Sequence, residues 1–464
     1  NGAFDLDIIT DSAIAGIGGV IGGTTALATL DINKTAGATG AVTISNNIGT
    51  TTAAGVTGAL EIGNANTSTL TLAGTVYNAN AATYTAVAGD NISLTAGADV
   101  TFTSSNDAIT FGTARILLGD GSDLVVTTGS GAGDIGVVAI TGNSVEDVTL
   151  SAGTGNVTVG VIGALAAQIN DVTLSGTTIN LGGNINTDND GTDLGDVDIN
   201  GAVALAADVT ITTSAGDGTV NLSSTVDNAR NFAISSGTGA VAIQGATGAT
   251  TALTSLTINA AGSGTIEVAN IGNAGGAAGV TGTTAIGNAT TTQLTLDGTT
   301  YNANAATYTA VAGNTIDLTA GATTTFTSTA DAITFGTGTV ELADGSNLSV
   351  TTGAGVGNIT LVAIKGSSVE DVTLNAGAGD VAIGAIGASA TEINVVAITG
   401  ATINLSGNIR TDDDGGAAGN VTLTGAVALG ADITIDTSAG NGAVTLSSTL
   451  NGAFDLDISS GSGA

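Results

Sequence analysis

The sequence predicts an all-β fold, a parallel β-helix (β-solenoid) with about three short strands in each coil of about 24 residues. Three observations predict it. Short apolar/polar tetrads return with a period of about 24 residues, a long block returns after 224, and proline is absent from the whole chain.

The tetrads set the coil. Asp99-Val100-Thr101-Phe102, Asp123-Leu124-Val125-Val126, Asp147-Val148-Thr149-Leu150 and Asp171-Val172-Thr173-Leu174 keep this period without a slip, and Asp196-Val197-Asp198-Ile199 follows one position late. Each alternates with the two-residue period of a strand. Further short strands lie between them, such as Ala108 to Thr113 and Arg115 to Leu118, or Asn156 to Val159 and Val161 to Leu165. Hairpins are excluded, because antiparallel pairing would reverse the phase at each repeat. Stacked coils keep it: at a parallel-strand spacing of roughly 4.8 Å the chain makes about 19 coils and a rod of about 90 Å. Val148, Leu150, Val157 and Val159 then point inward, while the Thr and Ser between them face water. Ile162 to Gln168 resembles a helix in composition and is expected to be part of a coil instead.

The long block shows that the coils belong to an array. Asn78 to Gly89 (NANAATYTAVAG) returns unchanged at Asn302 to Gly313, AITFGT at Ala108 returns at Ala332, and SVEDVTL at Ser144 returns at Ser368. NGAFDLDI opens the chain at Asn1 and reappears at Asn451. One continuous solenoid over residues 1–464 is expected, with long copies at about 1–226 and 227–450 and the start of a third at 451–464, read as an excerpt from a longer array. Neither end carries the polar cap that an isolated solenoid needs, so coils are expected to stack end to end as a homopolymer.

Composition agrees with a thin, ladder-bonded core. Only 4 Tyr and 7 Phe occur, with no Trp, Met, His or Cys, so Val, Ile, Leu and Ala must fill the interior. A mean hydropathy of +0.43 is too apolar for a disordered chain. The 73 glycines supply turns, and proline would delete a ladder donor. Thirty-nine acidic against five basic residues give a net charge of −34, which excludes nucleic acid and anionic lipid surfaces as partners. The most apolar run, Ala13 to Gly23, is half a membrane span and rich in glycine, so no membrane-crossing helix is expected. Cysteine-free coils suit microbial exoproteins held by backbone bonds rather than disulfides, and neither a signal peptide nor its cleavage site is visible.

The DVTL, DITI, NVTL and GAVAI strands, joined by Gly-Asn and Ser-Ala-Gly turns, resemble the β-strand repeats of large bacterial exoproteins of the filamentous-haemagglutinin type. The resemblance covers nearly the whole chain. It implies a right-handed parallel β-helix, secretion across the outer membrane, and an extracellular or cell-surface role in adhesion, biofilm or surface filaments. No catalytic residues carry over, since the shaft of that family has none.

Three groups of residues are candidates for sites. Asp188, Asp190 and Asp193, in the turn Thr187 to Asp193, place carboxylates at near-alternate positions around a glycine, as the opening half of a calcium loop does. Asp412 and Asp414 fall in the second copy of that turn, where Ala417 replaces Asp193. Calcium is the ion such a turn would hold; a solvated acidic turn is the alternative, and no other cofactor is expected. The column Asp99, Asp123, Asp147, Asp171 and Asp196 would stack like charges about 5 Å apart, repelling by roughly 1 kcal/mol in water and inviting cations. The second copy has Thr323, Asn347, Asp371, Val395 and Asn420 there, which dilutes that reading. Tyr77, Tyr84, Tyr301 and Tyr308 flank a place where strand spacing stretches to about 30 residues. A bulge serving as a lateral contact is one reading, and a widened coil whose rings cover a corner is the other.

Catalysis is not expected. Lyases and hydrolases on β-helices need carboxylates beside a base or cation, yet histidine is absent and Arg115, Lys365 and Arg410 correspond to Thr339, Thr141 and Asn186 in the other copy. A structural extracellular fibre or surface shaft is the leading expectation. An adhesin binding carbohydrate or a host or neighbour-cell protein through a lateral surface is the alternative. An ice- or mineral-binding face would need Thr-x-Thr ladders, and Thr101-Phe102-Thr103 does not recur at the coil period.

Overall fold

A computed structural model describes residues 2–462 of the chain apart from 144, 165–166, 189–193, 260, 277–278, 368 and 413–417. Among the described residues every regular element is a β-strand and none is a helix. Two compact units divide the chain, Asn1–Ser224 and Thr225–Ala464, the division falling beside the boundary between the long copies.

In the first unit the coil has three faces, each a parallel ladder. Face one runs Leu6, Leu30, Leu60, Ala82, Ile109, Ile135, Val157, Ile179, Val203. Face two runs Ala15, Val42, Leu70, Ile92, Ile116, Ile140, Ile162, Ile185, Ile211. Face three runs Ile21, Ile48, Tyr77, Phe102, Val126, Leu150, Leu174, Ile199, Leu222. In strands such as Val100–Thr103, Leu124–Thr127 and Val148–Ser151 the residues between these rungs are intermediate, so the alternation of the sequence becomes an inside and an outside.

The second unit is built the same way on three faces of its own. Its face one runs Phe232, Leu256, Thr284, Ala306, Ile333, Ile359, Val381, Ile403, Val427, Leu450. Face two runs Val241, Ile266, Leu294, Ile316, Val340, Ile364, Ile386, Ile409, Ile435, Ile458. Face three runs Val226, Thr247, Ile271, Tyr301, Phe326, Val350, Leu374, Ile398, Leu423, Leu446.

Spacing along a ladder is uneven: the step from Ile135 to Val157 is much shorter than the step from Leu30 to Leu60, yet the register of each strand is kept. Turns absorb the difference, because a slip inside a strand would move every apolar side chain to the outer face. Apart from the end rungs Leu6, Leu446, Leu450 and Ile458, the rungs are almost wholly buried, and burying such an apolar side chain is worth about 1.5–3 kcal/mol. Stability is therefore shared along the coil, each turn contacting only its neighbours.

Two turns show why glycine is needed. Gly63 and its counterpart Gly287 have φ of +75° and +71°, and a Cβ on either would lie 2.1 or 2.2 Å from the carbonyl oxygen of Thr85 or Thr309 in the next coil. The following asparagines tie the turn to the coil before: Asn64 Nδ2 donates to the carbonyls of Asn33, Thr35 and Ala38, and Asn288 Nδ2 to those of Asn259 and Gly262. Of the helix-like stretch Ile162 to Gln168, residues 165–166 lie outside the described residues, and none of the others is helical. Ile162 ends a strand, and Ala164 and Ala167 exchange backbone hydrogen bonds of 3.0 and 2.8 Å.

Candidate functional site

The tyrosines lie inside the coil, which corrects the expectation that they form a lateral contact. Tyr77, Tyr84, Tyr301 and Tyr308 are each at most 1% exposed. In the first unit Tyr77 stacks on Phe102 at 4.8 Å and Tyr84 on Phe111 at 5.2 Å, while Phe102 meets Tyr84 and Phe111 edge-on at 5.1 and 4.9 Å. The second unit repeats the block with Tyr301 on Phe326 at 4.7 Å and Tyr308 on Phe335 at 5.4 Å. The rings fill the interior.

The hydroxyls in each block have different environments. Tyr77 Oη accepts the Gly74 N–H at 2.9 Å; Tyr301 Oη accepts the Gly298 N–H at 3.0 Å and donates to the Val268 carbonyl at 2.9 Å. The hydroxyls of Tyr84 and Tyr308 are buried without a hydrogen-bond partner among the described residues. Burial pushes the phenol of all four upward from the ordinary tyrosine range. Accordingly Tyr77→Phe is expected to cost about 1–3 kcal/mol, since it strands the Gly74 N–H. Tyr84→Phe is expected to be neutral or stabilising, because it removes a buried group that nothing satisfies. Chemical denaturation of the two variants separates these outcomes.

The aspartate column acts as a backbone staple. Asp123 Oδ1 accepts the N–H of Asp147 in the next coil at 2.9 Å; Asp147 Oδ1 accepts from Asp171 at 3.1 Å, and Asp171 Oδ1 from Asp196 at 2.7 Å. Asn347 does the same for Asp371 at 2.8 Å and Asn420 for Ala443 at 2.8 Å. An amide oxygen serves as well as a carboxylate oxygen where Asn347 and Asn420 stand for Asp123 and Asp196, whereas Val395, at the place of Asp171, has no side-chain oxygen to accept with. Burial, reinforced by the nearby Asp147 and Asp99, holds the Asp123 carboxyl above the usual range. A raised carboxyl costs stability at neutral pH that is regained as pH falls through its folded range. Asp123→Asn is thus expected to keep the staple, leave stability unchanged or raise it by up to about 1 kcal/mol, and flatten the gain between neutral and acid pH in thermal melts.

Of the acids named for calcium, Asp188 and Asp412 are buried in the coil wall, and each backbone N–H donates to the carbonyl of Ile169 or Ile393 at 3.1 Å. The neighbouring hydroxyls of Thr187 and Thr411 close the turn on the carbonyls of Gly195 and Gly419. Asp190, Asp193 and Asp414 lie outside the described residues. Among the described residues no three His, Cys, Asp or Glu side chains gather as a metal site would require.

Sequence reasoning misses two groups of side chains. Glu146 and Glu370 are fully buried. Glu146 accepts the N–H of Asn143 at 2.6 Å and of Gly121, one coil earlier, at 3.2 Å; Glu370 accepts from Ser367 at 2.6 Å and from Gly345 at 3.1 Å. Their own carbonyls take the N–H of Asn170 and Asn394 at 2.8 Å, so each glutamate bonds to the coils on both sides. The retained motif SVEDVTL is the available signal. The second group is the cations. Lys34 lies 3.3 and 3.2 Å from the stacked pair Asp31 and Glu61; Lys365 is 2.9 Å from Glu341 on the neighbouring strand; Arg410 reaches Glu392 at 2.9 Å and Asp436 at 3.4 Å. Arg115 donates to Asn91 of the stacked strand at 2.7 Å.

One cavity of about 260 Å³ in the second unit is lined by Asn273, Thr300, Asn302, Asn304, Thr325 and Thr327 among others. Asn304 is engaged there, donating to the Thr281 carbonyl at 3.2 Å and accepting from Thr329 Oγ1 at 3.1 Å. Among the described residues no helix is long and apolar enough to cross a membrane. No protein-family model, curated protein or solved structure matches the chain.

Proposed function

We propose that this chain is a length of an extracellular structural fibre or surface shaft, whose coils serve to span distance. The observation that carries the reading is the ladder itself: in each unit the three faces pair from coil to coil with mostly apolar rungs inside, and the register shifts of the longest strands, between Ser175 and Thr178 and between Thr399 and Thr402, fall between face three and face one and leave each face in step. A coil of this kind is the template for the next one, and its length is limited only by how much chain is supplied. The cations that would serve a lyase are committed to neighbouring strands, which supports a non-catalytic role. Placement outside the cell rests on the cysteine-free composition, the large negative charge that favours solubility in salt, and the resemblance to bacterial exoproteins. Electron microscopy of the native material is expected to show rods or filaments; compact particles would overturn the proposal.

The Asn- and Thr-lined cavity favours a second reading, an adhesin taking a carbohydrate at that face. Glycan-array binding that is lost in Asn304→Ala, with the fold intact, supports it. An array without binding leaves the shaft alone.

A further inference from the structure

We infer that one long repeat advances the coil by nine and one third turns, so that within the second unit a strand and its repeat equivalent fall on successive faces. Two strand pairs inside the second unit carry this. Phe232-Ala233-Ile234-Ser235 and Leu456-Asp457-Ile458-Ser459 are repeat equivalents, offset by 224, and both run into a Ser-Gly turn. Yet Phe232 begins face one, paired with Leu256, while Leu456–Ser459 ends face two, with Ile458 paired to Ile435. Val226-Asp227 and Leu450-Asn451 share the same offset. Val226 begins face three, bridged to Thr247, whereas Leu450 ends face one, paired with Val427. The chain visits the faces in the order three, one, two, so both pairs have moved on by one face in the same direction. Nine successive pairings lead down face one from Phe232 to Leu450, and Leu456–Ser459 is the next strand after that rung.

The cause is arithmetic in the sequence. Nine coils at the period of the tetrads fall eight short of the 224, and eight is one side of a three-sided coil. A strand can change face in this way only if all faces ask the same of it. They do: each takes Val, Ile and Leu inward and small polar residues outward. The phase belongs to the coil and holds whether the coil is a shaft or an adhesin, so it goes beyond the functional reading above.

The consequence concerns lateral partners: within the second unit an outward position and its repeat equivalent, such as Ala233 and Asp457, lie on different faces, so a partner lying along one side cannot touch both.

Cysteine pairs test the phase, since the chain has no cysteine of its own and stacked strands lie within disulfide reach. Thr434→Cys with Asp457→Cys, and Ala428→Cys with Asn451→Cys, join outward-facing neighbours and are expected to oxidise to disulfides in the folded chain. Ala428→Cys with Asp457→Cys joins the positions that would stack if the repeat were a whole number of turns, and is expected to stay reduced. Circular dichroism confirms that each variant retains its β-structure. Cross-linking of Ala428→Cys to Asp457→Cys in place of the first pair, or of no pair in the folded chain, would overturn the inference.

Discussion

Phe102→Ala is expected to destabilise the first unit by about 3–5 kcal/mol, the usual cost of truncating a fully buried phenylalanine. The ring stacks on Tyr77 and meets Tyr84 and Phe111 edge-on, so its loss removes contacts with three other rings and leaves a void between two coils. Because each coil contacts only its neighbours, the damage is expected to stay local. Hydrogen exchange should quicken over residues 76–112 and remain unchanged in strands Val197–Leu205 and Val209–Thr212. Phe326→Ala is expected to do the same in the second unit, where Phe326 holds the same place between Tyr301, Tyr308 and Phe335. Uniform loss of protection over the whole unit would contradict a coil whose turns are stabilised one upon the next.

Alkaline pH is expected to unfold the aromatic coils cooperatively. An exposed tyrosine titrates near pH 10, and burial raises all four here. Below about pH 10 both folded and unfolded tyrosines hold their protons, and this contribution to stability is fully present. Above it the unfolded chain loses protons that the folded chain retains. Stability then falls by up to about 1.4 kcal/mol per pH unit for each tyrosine, until the folded range is reached. The 4 tyrosines are the only ones in the chain, which has no tryptophan, so tyrosinate absorbance reports on these coils alone. It should rise together with the loss of β-structure, above about pH 10. A smooth titration near that value with the β-spectrum intact would mean that the rings are exposed.

The strands and their inward faces are legible because every coil repeats the same local pattern, and alternation decides which side chains go inside. Spacing alone misplaces the tyrosines, although better signals are present. Ala82-Thr83-Tyr84-Thr85 alternates in the inward phase, and Phe102 and Phe111 stand about one coil after Tyr77 and Tyr84. At Tyr77 the alternation itself fails, since Val76 and Tyr77 are both buried. The aspartate column reads as charge, and its hydrogen-bonding role becomes visible only with the neighbouring coil in place; the exchange of Asp123 for Asn347 is the clue. Glu146 is illegible for a related reason: its partners are backbone N–H groups, one of them a coil away, which no local pattern reveals. Face-by-face rotation of the long repeat is implicit in the two periods, but its direction and count need the pairings.

X-ray fibre diffraction from aligned chains tests the stacked coil most directly. Parallel strands running across the axis predict a meridional reflection at about 4.8 Å, with circular dichroism showing β-structure. A pattern without that reflection, or a spectrum dominated by helix, would contradict it.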